Sequence, residues 1–250
     1  MEIYSVITVF VMSILASSFG TLTGGTSLIT IPVLMLLGLP PHVAIGTDRF
    51  GIIGLGLSGW YKFQSKRLID YPIAWMVAVP IFAGTFIGSN IALQISGEVL
   101  RSIVIFINIA LLIFLLVNPR VGVEKGGDRN TVKVYLVGFI LSLLVGLWGG
   151  FYGALTGTFT LYVLILVYRQ TFIQSAATMK IPNIVNAVTA AMVFAFHGAV
   201  DFRLGMAMMG GCLIGSYTGV HFSERIGELW IKRIFLLVTA AAIVKLVLNN

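Results

Sequence analysis

The chain has 250 residues, of which 58% are hydrophobic and only 10% charged, with a mean hydropathy of +1.01. These proportions lie far outside the range of a soluble globular domain and exclude a soluble enzyme, a nucleic-acid module and a disordered segment. The net charge of +7 sits in short stretches between apolar runs, where cations report orientation across a bilayer.

Apolar runs suited to a hydrocarbon core of roughly 30 Å, about 20 residues each, recur along the chain. The first, residues 3–22, follows Met1-Glu2 with neither a basic region nor a small-residue cleavage site, and so reads as a membrane helix rather than a leader. A Gly/Thr-rich stretch, Gly20 to Ser27, leads into a short second segment, 27–38, followed by 42–60, 72–94 and 101–117. The polar stretch Asn118 to Lys133 then interrupts the pattern. After it come 134–154, a second Gly/Thr-rich stretch from Gly149 to Thr158, a short segment at 158–168, and then 172–196, 203–221 and 231–248. The order of long, glycine-rich, short, long, long, long thus occurs twice. It divides the chain into a first membrane repeat, 1–118, a cytoplasmic linker, 119–133, and a second repeat, 134–250. The short segments either cross fully or fold back as re-entrant elements, and the parity is the same in both cases. Cys212, the single cysteine, lies in an apolar run and reads as a small core residue.

An offset of 131 residues pairs Thr47 with Thr178, Arg49 with Lys180, Asp70 with Asp201, Gly84 with Gly215 and Gly88 with Gly219. Gly84-x-x-x-Gly88 and Gly215-x-x-x-Gly219 are small-residue ridges of the kind that let helices approach closely in lipid. With the N-terminus outside, eleven Lys and Arg fall on the inner side and three, Arg101, Arg203 and Lys245, on the outer side. Five segments per half place the second copy upside down, the plan of inverted-repeat secondary transporters, whose sites lie near the midplane. Both termini are then outside.

Two cations remain, Arg49 and Lys180, well inside apolar segments. At 1.5 Å per residue Arg49 lies about 10 Å below the outer start of its helix and Lys180 about 12 Å above the inner start of its own. The short helices beginning near Ser27 and Thr158 bring their N-termini, with free N–H groups and positive dipole ends, to the same depth. Thr47, Thr178, Asn183 and Asn186, together with Gly25, Thr26, Ser27, Gly157 and Thr158 of the two glycine-rich stretches, add donors or close backbone approach. This combination favours a small anion. Asp48 is the one carboxylate placed deep in the membrane, either as a structural partner of Arg49 or as a coupling group that takes up a proton. Opposed to the anion site is the reading in which Arg49 only neutralises Asp48 and Lys180 snorkels to the interface. Gly56-Leu57-Ser58-Gly59 with a later histidine suggests an intramembrane Ser/His protease, but the topology puts His42 and His197 on the outer side, away from Ser58, and His221 on the inner side beyond the end of its helix.

Three stretches carry a family resemblance. They are Gly24-Gly25-Thr26-Ser27-Leu28-Ile29-Thr30-Ile31-Pro32, Leu37 to Thr47 with its Gly38-Leu39-Pro40-Pro41-His42-Val43-Ala44-Ile45-Gly46-Thr47 core, and Ala177-Thr178-Met179-Lys180-Ile181-Pro182-Asn183-Ile184-Val185-Asn186. Together they make the chain resemble the sulfite exporter TauE/SafE family over nearly its whole length. The resemblance implies a prokaryotic plasma-membrane carrier that exports sulfite, sulfoacetate or a related sulfur-containing anion. The expectation is therefore an all-α polytopic membrane protein of two inverted repeats, a secondary transporter and not an enzyme. It would use no cofactor or metal, its partners would be a small anion and the lipid bilayer, and no nucleic acid; a homodimer is compatible. No GxxxxGK[ST] loop is present for direct ATP drive. An anion channel is the rival in the same class.

Overall fold

A computed structural model of the chain describes residues 2–103, 105–106 and 132–222. Segment 101–117 from residue 107 on, most of the linker 119–133, and the last segment, 231–248, lie outside the described residues. The described residues include the helices α1 (Glu2–Thr23), α2 (Ser27–Leu36), α3 (Pro41–Gly51), α4 (Ile53–Ser65), α5 (Tyr71–Gln94), α6 (Val132–Phe151), α7 (Thr156–Leu166), α8 (Phe172–Thr178), α9 (Lys180–Phe196) and α10 (Phe202–Phe222). A further helical stretch covers residues 97–103.

The helices are patterned for lipid. On α1 the outward face carries Ile3, Ile7, Val11 and Leu15, whereas Ser13, Ala16, Ser17 and Thr21 are buried. On α5 the outward residues are Trp75, Val79, Phe82 and Phe86, and the inward ones include Ala78, Gly84, Thr85, Gly88 and Ser89. Bulk faces out and small or hydroxyl-bearing residues face in, because lipid tails are as apolar as Leu and only close packing holds helices together there. Tyr71–Gln94, 134–151 and 172–196 are each long and apolar enough to cross a membrane.

Two pairs of helices pack backbone to backbone. The Cα atoms of Gly84 and Gly88 face the backbone of Leu143, Leu147 and Phe151, while Gly146 and Gly150 of α6 face Ile81 and Thr85. Along the other seam Gly211, Gly215 and Gly219 of α10 face Phe10, Ile14 and Ser18 of α1. Residue numbers rise together along both seams, so α5 runs parallel to α6 and α1 parallel to α10. The helices α4 and α9, by contrast, cross antiparallel, with Gly56 against Ile184 and Gly59 against the stem of Lys180.

The element boundaries repeat. Pro41, Ser65 and Tyr71 are matched, 131 residues on, by Phe172, Phe196 and Phe202. The caps explain part of this: Asp70 Oδ1 accepts from the Ile73 amide at 3.3 Å and Asp201 Oδ1 from the Leu204 amide at 3.0 Å, each opening a long helix. Segments 42–60 and 172–196, expected as continuous helices, are each interrupted, at Ile52 and at Met179. At the second break the cause is Pro182, which has no N–H to give the Thr178 carbonyl and whose ring crowds it. At the first, Gly51 and Gly54 bracket Ile52, and glycine is a weak helix former.

The seams give a stability prediction. Any side chain at Gly88 or Gly219 collides with backbone, which cannot swing aside, so Gly88→Leu and Gly219→Leu should each destabilise at the upper end of the roughly 1–3 kcal/mol cost of overpacking, or beyond it. Phe86→Leu, on the lipid side, should leave the thermal midpoint of the detergent-purified protein unchanged.

Candidate functional site

The two glycine-rich turns meet. Gly24 (φ 81°) and Gly157 lie so close that a Cβ on Gly157 would sit 2.7 Å from the Cα of Gly24 and 3.1 Å from the Asn183 side-chain nitrogen. A left-handed backbone at Gly24 and again at Gly153 (φ 89°) turns the chain sharply enough to start α2 and α7 inside the protein. With ten and eleven residues, these helices are only about 15–17 Å long, half of a bilayer core.

At the N-terminus of α2 the structure brings together Ser27, Asp48 and Arg49. The Ser27 hydroxyl donates to Asp48 Oδ2 at 2.8 Å and accepts from Arg49 Nη2, and Thr30 donates to Asp48 Oδ1. Arg49 and Asp48 form a salt bridge through the same Nη2 and Oδ2 atoms. Both side chains are shut off from solvent, at 1% and 0% exposure. Arg49 Nη1 reaches the Gly153 carbonyl at 3.5 Å, and a Cβ on Gly153 would lie within the guanidinium. Asp48 thus places its charge at the positive end of α2, where an anion is favoured.

Lys180 lies elsewhere. Its ammonium donates to the Thr21 carbonyl and, at 3.3 Å, to the Thr21 hydroxyl, with the Phe63 ring 5.8 Å from Nζ. Thr21 and Ser216 hydroxyls lie 2.9 Å apart, and Ser216 donates onward to the Leu55 carbonyl at 3.1 Å. At 0% exposure Lys180 does not snorkel, and its bonds go to neutral oxygens, whereas Arg49 pairs with the Asp48 carboxylate. The cation of each half therefore rests on the glycine-rich turn of the other: Arg49 on Gly153, Lys180 on Thr21.

The remaining expected residues take separate positions. Thr47 and Thr178 accept hydrogen bonds from the backbone amides of Asp201 (2.9 Å) and Asp70 (3.2 Å), so each threonine holds the residue that caps the long helix of the opposite half. Asn186 donates to Thr85 at 2.6 Å, and Asn183 accepts from Thr160 at 3.2 Å. Gly25 and Thr158 are buried, and Thr26 is buried with its hydroxyl unpartnered. Thr21, Thr30, Thr85, Thr160 and Ser216 were not among the expected residues. Thr30 follows Ser27 by one helical turn and could have been found on that ground, whereas Thr21 and Ser216 are 195 residues apart. Of the histidines proposed for a protease, His42 has a ring nitrogen 2.9 Å from the Ile95 carbonyl and His197 one 2.8 Å from the Val193 carbonyl.

Helices with bulk outside, hydroxyls inside and charges buried among interrupted helices define a polytopic membrane transport protein. The chain belongs to the sulfite exporter TauE/SafE family, whose model matches residues 9–246. It is 26% identical over 241 residues to a "Probable membrane transporter protein" of Haemophilus influenzae, covering 96% of this chain and 94% of that one. It is 27% identical over 244 residues to "Probable membrane transporter protein ORF9" of Sinorhizobium sp, covering 95% and 90%. It is also 24% identical over 243 residues to "Probable membrane transporter protein YfcA" of Escherichia coli K12, covering 96% and 89%. No solved structure matches the chain.

The crossed threonines yield a measurable expectation. Thr47→Val and Thr178→Val each take the acceptor from a half-buried backbone amide and should each cost about 0.5–1.5 kcal/mol, read as a lowered unfolding midpoint. Serine at either position keeps the acceptor and should recover most of the loss.

Proposed function

We propose that the protein is a secondary transporter that exports a small anion, sulfite or an organosulfonate such as sulfoacetate, across a prokaryotic plasma membrane. The observation that carries this reading is the burial of two like-charged side chains, Arg49 and Lys180, beside the glycine-rich turns from which two half-length helices start. An ionised side chain inside a membrane protein is expensive and is retained where it binds or moves something. Ser27, Thr26, Gly25, Gly157, Thr158, Asn183 and Asn186 would complete the binding region, with Thr47 and Thr178 holding its frame. Asp48 serves as the structural partner of Arg49. No chemical step on the anion is required.

The architecture behind this reading is a pair of inverted repeats, 1–118 and 134–250, joined by a cytoplasmic linker, 119–133. Its support is the antiparallel crossing of α4 and α9, which align by sequence, and the reciprocal Thr47–Asp201 and Thr178–Asp70 bonds. Such repeats place a substrate between them and expose it to alternate sides.

The test is exchange in proteoliposomes. A carrier shows saturable counterflow of labelled sulfite against trapped unlabelled anion; a channel shows conductance that does not need anion on the far side. Arg49→Gln and Lys180→Gln should each lower counterflow about tenfold or more while the protein still inserts and elutes as a single species. Unchanged counterflow in both variants places the site elsewhere. The topology has its own assay. In a Cys212→Ala background, Ser65→Cys should react with an impermeant thiol reagent from the cytoplasmic side, and Gly97→Cys and His197→Cys from the outside. Labelling of all three from one side defeats the inverted arrangement.

A further inference from the structure

The buried charges can be counted. Among the described residues, only three fully buried side chains carry charge: Asp48, Arg49 and Lys180. Asp48 and Arg49 cancel through their salt bridge, and Lys180 faces hydroxyls, a carbonyl and an aromatic ring. Among the described residues the buried side chains are left with one uncompensated positive charge. The half related to Asp48 by the 131-residue offset has Met179 at that place, so nothing there plays the same part for Lys180.

Polar hydrogens without a partner lie among these same residues. Arg49 Nε and the Thr26 hydroxyl are buried without a partner, and an ammonium has three N–H groups of which Lys180 places its bonds on Thr21 alone. The Thr26 hydroxyl lies against Gly20, one residue before the Thr21 carbonyl that holds Lys180. Spare donors and one spare positive charge together ask for an oxyanion.

Resting on the transport reading above, we infer that the bound species carries a single net negative charge, and that Asp48 sets this limit by cancelling Arg49. In a low-dielectric interior a monoanion brings the sum to zero, whereas a dianion leaves an uncompensated negative charge whose desolvation nothing repays. A sulfonate or hydrogen sulfite therefore binds as it stands, and a dianion such as sulfate or sulfoacetate binds only with a proton or another cation. Asp48 is on this account a specificity-determining residue that works through Arg49.

The experiment compares ligands of fixed charge on the full-length protein in lipid nanodiscs at one neutral pH. Isethionate and sulfoacetate form a size-matched pair differing by one charge, and methanesulfonate and sulfate form a second. Wild-type protein should bind the monoanion of each pair at least about tenfold more tightly. Asp48→Asn removes one negative charge from the interior and should shift the ratio toward the dianion by about tenfold in both pairs. Equal or tighter binding of sulfate and sulfoacetate by the wild type overturns the charge limit and leaves the transport reading standing. This arm needs no variant, so it decides even if Asp48→Asn fails to fold. A folded Asp48→Asn protein with an unchanged ratio overturns the role of Asp48. Binding of none of the four anions by the wild type overturns the anion site itself.

Discussion

A helix that stops halfway through a hydrocarbon layer leaves backbone N–H groups with no water to receive them, and this constraint organises the centre of the protein. α2 and α7 are too short to cross, so their N-terminal turns have to be enclosed by other protein. Gly24 and Gly157 supply the enclosure by letting the two turns touch through bare backbone. At the start of α2 the Leu28 and Ile29 amides bond back to the Gly25 and Thr26 carbonyls, and Ser27 and Thr30 hold the Asp48 carboxylate beside that end. The interrupted helices, the buried charges and the crossed threonines are all arranged around those two ends.

Much of the scaffold was legible in the residues because its rules are short-ranged. Apolar runs marked the helices to within a few residues, including the two short ones, and the polar caps Asp70 and Asp201 stand where the long helices begin. The paired Gly-x-x-x-Gly motifs lie in the close helix contacts that such motifs permit. The interruptions at Ile52 and Met179 were not read, although Pro182 carried the signal: in a strongly apolar run hydropathy hides a missing hydrogen bond. The partners of the candidate site were less legible still. Asp48 beside Arg49 is a local fact, but the pairing of Lys180 with Thr21 and of Thr47 with Asp201 links residues more than 150 positions apart. Nothing in a single sequence registers such contacts.

The asymmetry between the halves is chemical more than architectural. Both cations rest on a glycine-rich turn from the opposite half, yet one is neutralised by a neighbouring carboxylate and the other is surrounded by neutral groups. Arg49 suits the paired role: its planar guanidinium serves Asp48, Ser27 and the Gly153 carbonyl at once. Lys180 is a point charge on a flexible stem, lodged in the space left by Gly59. Exchanging the two residue types would keep the charge and lose this division of labour.

The pairing of α1 with α10 also sets an order of assembly. α5 meets its partner α6 soon after leaving the ribosome, whereas α1 waits for a helix that begins at Phe202. At about 5–20 residues per second this is a delay of roughly 10–40 s. Until then the face bearing Ser13 and Ser17 is presented to lipid or to whatever chaperone receives it. The turn that holds Lys180 stands just beyond that face, at Thr21. The α1–α10 seam thus closes long after α1 is made, and the bond between Thr21 and Lys180 joins residues made far apart in time.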